Sequence, residues 1–186
     1  MAVKKKNAFS EFNMFKKEKN IILVVSKSKD YFEKNTAVLK HLVNNLNLSG
    51  IYVTLNKGSK TIKAFLEKNK VDLSKLYFID AASNIGTDVP PEKNITFIKH
   101  GQYALTEISL VISTLCNTRK YDFLFFDSLS TILIYHDLTT AEKFSHYLIS
   151  KLKQNYISGI ILSVSEGAAK DLIPSISQFC DKTIEL

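Results

Sequence analysis

The sequence predicts an α/β fold: a mostly parallel central sheet with helices on both faces. Three observations lead there. Short apolar runs of strand length recur along the chain, among them IILVV (Ile21–Val25), IYVTL (Ile51–Leu55), LYFID (Leu76–Asp80), FLFFD (Phe123–Asp127) and GIILSV (Gly159–Val164). Longer segments between them repeat their apolar residues at helical spacing. The strands are apolar nearly throughout instead of alternating, as strands are when helices cover both faces of a sheet.

The elements follow in order. Ile21–Val25 is a buried strand, and Thr36–Leu48 a helix with Leu39, Leu42, Val43 and Leu46 on one side. Gly50 is expected to end that helix. Ile51–Leu55 is the second strand, and Ser59 is expected to cap a helix running to Lys68. Leu76–Asp80 is the third strand. A polar stretch with Gly86, Pro90 and Pro91 reads as a loop, and Ile95–Lys99 as a short extra strand. Thr106–Asn117 is a helix with Ile108, Val111, Ile112 and Leu115 inward. Phe123–Asp127 is the most apolar strand and belongs in the centre of the sheet. A helix at Thr140–Lys153, a strand at Gly159–Val164, a short helix near Leu172–Phe179 and a last strand at Thr183–Leu186 complete the series.

The chain has 186 residues, 45% hydrophobic and 23% charged, which suits one globular domain with a sizeable core. The expected division is a basic leader, 1–19, and one domain, 20–186. No run approaches the roughly 18 to 20 apolar residues of a membrane span, and the N-terminus lacks the apolar centre of a secretory signal. Cys116 and Cys180 suit no metal spacing and read as buried free thiols in a reducing cytoplasm. The four histidines, His41, His100, His136 and His146, fall in different elements, so no metal site is expected.

The net charge is +7, from 25 basic and 18 acidic residues, and Arg119 is the single arginine. Lys4, Lys5, Lys6, Lys16, Lys17 and Lys19 precede the first strand. Such a leader fits a solvated terminus, the preferred reading, or contact with nucleic acid, an acidic membrane or an acidic protein. Lysine lacks the bidentate fork of arginine, and no glycine–basic–aromatic binding motif is present, so only weak, nonspecific nucleic-acid contact is expected. Phe9, Phe12 and Phe15 share one helix face, which should dock on the domain itself.

GIYVTL, KLYFIDAAS, FLFFDSLSTILIY and the closing GIILSVSEG and CDKTIEL carry a resemblance. They are similar, from about Asn20 to Leu186, to the RecA-like ATPase domains of the KaiC group, a three-layer sandwich. The strand ending in Asp-Ser-Leu matches that group's Walker B region. The chain also resembles uncharacterised archaeal relatives and the sensory domains called MEDS, in which the phosphate loop is degenerate. The resemblance implies a nucleotide site after the first strand, with Asp127 orienting magnesium. It also implies self-association, because RecA-like domains commonly hold nucleotide between subunits.

The residues needed for that chemistry are replaced. A phosphate loop reads G-x-x-x-x-G-K-[ST], because its amides must approach the phosphates closely and its backbone needs glycine's freedom. The best overlay puts Ser28 and Glu33 at the glycines, Lys34 at the lysine and Asn35 at the hydroxyl, and no glycine occurs from Ser26 to Ser49. Glu33 is expected to bring negative charge to the phosphate position, and Lys34 to be a solvated residue at a helix start. Where the KaiC group carries paired glutamates that orient water, this chain has Asn56 and Lys57, neither a base at neutral pH. Asp127 is then expected to be a strand-end carboxylate bonded within the fold, with Ser128 capping the turn after it. Tyr135 and His136 read as packing or surface residues. A phospho-acceptor receiver is set aside because Ser26 and Lys27 stand where its magnesium-binding acids would be.

The expectation is therefore a RecA/KaiC-like pseudo-ATPase without catalytic residues or cofactor. It would act as a regulatory, signalling or assembly platform with a protein partner or as a homo-oligomer. The alternatives are a nucleotide sensor that binds ATP without efficient hydrolysis and a nucleic-acid-associated accessory protein.

Overall fold

In a computed structural model that describes residues 9–83 and 92–186, all paired strands of a seven-stranded sheet run parallel. The strands are β1 (Ile21–Ser26), β2 (Gly50–Thr54), β3 (Leu76–Asp80), β4 (Ile95–Phe97), β5 (Phe123–Asp127), β6 (Ser158–Val164) and β7 (Lys182–Glu185), in the order β4-β3-β2-β5-β6-β1-β7. The most apolar strand, β5, is central, as its composition predicts. The expected loop with Gly86, Pro90 and Pro91 and the lysines Lys4–Lys6 lie outside the described residues.

Alternate strand residues face two cores. One core joins Ile21, Leu23, Ile51, Val53, Leu124 and Phe126 to α3 (Leu105–Asn117), α4 (Leu129–Tyr135), α5 (Leu138–Gln154) and α6 (Ala169–Ser177). The other joins Ile22, Val24, Tyr52, Phe78, Phe123 and Phe125 to α1 (Tyr31–Lys40), α2 (Ser59–Lys68) and a 3-10 helix at Ser10–Lys16. The result is three layers. Phe12 and Phe15 are buried in the second core. Their three-residue spacing matches a 3-10 helix, in which such positions eclipse. The aromatic face thus docks on its own domain.

Several boundaries differ from the sequence expectation for local reasons. The first helix begins at Tyr31 and ends in a wide turn over His41–Asn45. Asn47, at φ +60°, makes the left-handed stop, where Gly50 was expected. Gly50 is instead the first residue of β2, and a Cβ there would lie 2.2 Å from the Phe123 ring. Ser59 does not cap α2 with its side chain. Its N–H, which has no partner within the helix, donates to the Asp80 carboxylate at 2.6 Å. The helix α4 was not anticipated, because LSTILIY is short, rich in β-branched residues and strand-like in composition.

Candidate functional site

Chain direction picks out one edge of the sheet. The connection after β2 runs outward to β3, whereas that after β5 runs the other way to β6. The carboxyl ends of β2 and β5 therefore flank a topological switch point, where open parallel sheets form clefts. A cleft of about 470 Å³ opens there. Four strands and the segments after them line it: Ser28, Lys29, Tyr31 and Phe32 after β1, Asn56 and Lys57 after β2, Ser128, Ser130, Thr131, Leu133 and Ile134 after β5, and Val164 at the end of β6 with Glu166, Ala168 and Ala169 beyond it.

Each segment is positioned by its own bonds. The hydroxyl of Thr54 donates to the Lys57 carbonyl at 2.6 Å, which tightens the turn after β2. Lys57 Nζ then sits 4.2 Å from the centre of the Phe32 ring, a cation–π contact. The Ser130 hydroxyl accepts from the Val164 N–H at 2.7 Å and ties the β5 side to the β6 side. Ser128 pairs its hydroxyl with Thr131 at 3.0 Å and makes no side-chain bond to a helix N–H.

The loop after β1 holds an anion from its own chain. The N–H of Ser28 donates to Glu166 Oε2 at 3.1 Å, and the Ser28 hydroxyl bonds the same oxygen. These bonds, with Lys27 and Lys170 nearby, hold the Glu166 carboxyl below its ordinary range. The negative charge on this loop comes from Glu166, not from Glu33. Glu33 is exposed and does not line the cleft. Lys34 also lies off the cleft and pairs with Asp30 at 3.3 Å, one helical turn away. Asn35 points into the second core, 5% exposed, with neither side-chain polar atom bonded.

Asp127 is 1% exposed and faces α1 rather than the cleft. Tyr31 donates its hydroxyl to Asp127 Oδ1 at 2.6 Å, and Tyr52 donates to Oδ2 at 2.7 Å. Burial raises the Asp127 pKa, and the two tyrosine bonds and Lys57 oppose that rise. Burial also pushes both tyrosines well above 10, with the Asp127 charge adding to it. Magnesium held through this residue would need an open carboxylate oxygen facing the cleft. Both oxygens are bonded by phenols and turned into the core, so this donor set does not fit the ion. Tyr135 packs edge-on against Tyr103, and His136 Nε2 lies 3.0 Å from the Gln102 carbonyl. No group of three or more metal-ligating side chains occurs among the described residues.

Of the residues the phosphate-loop overlay selects, only Ser28 reaches the cleft. Asn56 and Lys57 line it as the turn after β2. Sequence reasoning missed Tyr31, Tyr52 and Glu166. Tyr52 had a readable signal: a phenol inside an apolar strand must bond something, and it stands two residues from the strand end, as Phe125 stands two residues from Asp127. Glu166 had none, since its bond to Ser28 spans 138 residues.

No family model matches the sequence, and no curated protein matches it. Among solved structures, a KaiC-like protein from the hyperthermophilic archaeon Pyrococcus horikoshii OT3 superposes with a TM-score of 0.67 at 12% identity, over 91% of this chain and 71% of that one. At that identity the likeness shows the fold alone, and the chain has the RecA-type, KaiC-like α/β fold.

Proposed function

We propose that the protein is a pseudo-ATPase: a RecA/KaiC-like domain that has lost its chemistry and works as a regulatory, signalling or assembly platform through protein association. One observation carries this reading. The aspartate at the Walker B position is bonded through both oxygens to Tyr31 and Tyr52 and is buried. Ser28, Glu33 and Asn35 in the loop, and Asn56 and Lys57 beyond it, agree with that loss. The association surface best supported is the groove between α3 and α5, about 440 Å³, lined by Leu105, Leu110, Phe144 and Tyr147. Leu110 is 63% exposed there, beside the exposed Tyr147. The free thiols of Cys116 and Cys180 agree with the proposed cytoplasmic setting. No helix among the described residues is long and apolar enough to cross a membrane.

Calorimetry with ATP and magnesium, together with a phosphate-release assay, tests the loss of chemistry. The expected result is no release and no binding in the low micromolar range, about −8 kcal/mol. Light scattering over a concentration series tests association. A stable interface buries about 1,200 Å² or more, and Leu110→Asp should shift the protein towards monomer. A chain that stays monomeric and captures no partner overturns the platform reading. A second reading, a nucleotide sensor, is favoured by the size and position of the cleft, and binding of ATP without phosphate release would support it. The leader is proposed to give only weak nucleic-acid contact at low salt. Deleting residues 1–8 tests this without removing the buried Phe12 and Phe15.

A further inference from the structure

We propose that the cleft binds a small organic anion with one acidic head and an apolar body, and that Glu166 occupies the head position when the ligand is absent. This goes beyond the platform reading, which needs no ligand.

The shape and walls of the cleft suit such a molecule. Ligand sites are concave, largely apolar, and carry a few convergent polar groups. Here Phe32, Leu133, Ile134, Val164 and Ala169 supply the apolar surface. Ile134 is 73% exposed at the rim, so an occupant would cover it. Polar groups line the cleft as well, among them Ser28, Lys29, Lys57 and Glu166. The Ser28 N–H and hydroxyl both point at a single carboxylate oxygen. Lys29 and Lys57 line the same space, and Lys27 and Lys170 act on the Glu166 charge. A side chain tethered on the exposed loop after β6 fills that position. An exposed carboxylate bonded this way exchanges readily for a free one, because it loses water-like surroundings in neither state.

The same geometry selects against a polyphosphate. A triphosphate needs a row of loop amides and a metal ion, whereas the described bonds to the anion come from Ser28 alone and Asp127 faces away. One head replacing one carboxylate is an even exchange. A carboxylate and a monophosphate ester share this chemistry, and paired probes with the same phenyl body separate them.

The test follows the backbone amides of Ser28, Ile134 and Ala168 by NMR in the full chain, titrated with phenylacetate and with phenyl phosphate. Saturable shifts at these amides are expected, and the tighter probe identifies the head. Benzyl alcohol, the same body without charge, should bind more weakly. Glu166→Gln removes the competing charge and should tighten binding about fivefold to tenfold, as expected when a blocked site is freed. Lys57→Ala should weaken it. The proposal is overturned if neither probe saturates by about 10 mM, beyond millimolar affinity, or if Glu166→Gln leaves the affinity unchanged. It is also overturned if ATP binds Glu166→Gln more tightly than phenyl phosphate does, since the site would then be a nucleotide site.

Discussion

Asp80 and Asp127 stand at the same level of the sheet, each paired with Thr54 from opposite sides. Both end an apolar strand and both are buried, at 0% and 1% exposure. Their partners differ. Asp80 accepts from the N–H groups of Ser59, Ala82 and Ser83 and from the Ser83 hydroxyl, at 2.6 to 3.0 Å. It pins the start of α2 and the loop after β3 through the backbone. Among the described residues the Asp127 carboxylate accepts from two phenols and from no backbone N–H. A carboxylate that serves the backbone cannot be spared. One that serves two side chains can be redesigned along with them, and this separates Asp127 from Asp80.

The largest effect should come from Asp80→Ala, which strands several inward donors at once. It is expected to lower stability by more than about 3 kcal/mol, measured by urea denaturation. If Asp127→Ala proves equally severe, the contrast between the two sites fails. Tyr52→Phe leaves Asp127 Oδ2 buried without a donor and should lower stability by about 1–3 kcal/mol. The same change in an Asp127→Asn background should be milder, because the neutral amide needs its partner less. A double-mutant cycle reads that coupling.

Asp127→Asn alone should fall within about 1 kcal/mol of wild type or stabilise it, since it removes a buried charge at constant shape. Its sign depends on pH. The Asp127 pKa is raised in the folded state, so the fold holds that proton more tightly than the unfolded chain does. The associated stability is fully present below the ordinary carboxylate range and is lost as pH rises through the folded value. Asp127→Asn should therefore gain on wild type as pH rises through that window. A pH-independent difference would count against the burial argument. Tyr31 and Tyr52 titrate in the same sense but far higher. Their stabilisation is complete below about 10 and is lost at more alkaline pH. Tyr52→Phe should thus unfold less steeply than wild type in an alkaline series followed by circular dichroism.

The fold was legible because its signals are local and repeated. Apolar runs such as FLFFD and helical repeats such as that of Ile108 and Ile112 each report burial within a few residues. The lack of glycine from Ser26 to Ser49 could be read in the same way. By itself the sequence determined the layer architecture, the central place of β5 and the self-docking of Phe12 and Phe15. Tertiary structure alone decided two things: that Tyr31 and Tyr52 enclose Asp127, and that Glu166 rather than Glu33 meets Ser28. Tyr31 and Asp127 lie 96 residues apart, and Ser28 and Glu166 lie 138 apart. Hydrogen bonds act over about 3 Å. Only strand order and register bring such residues within that reach, and neither is written in the spacing of residues along the chain.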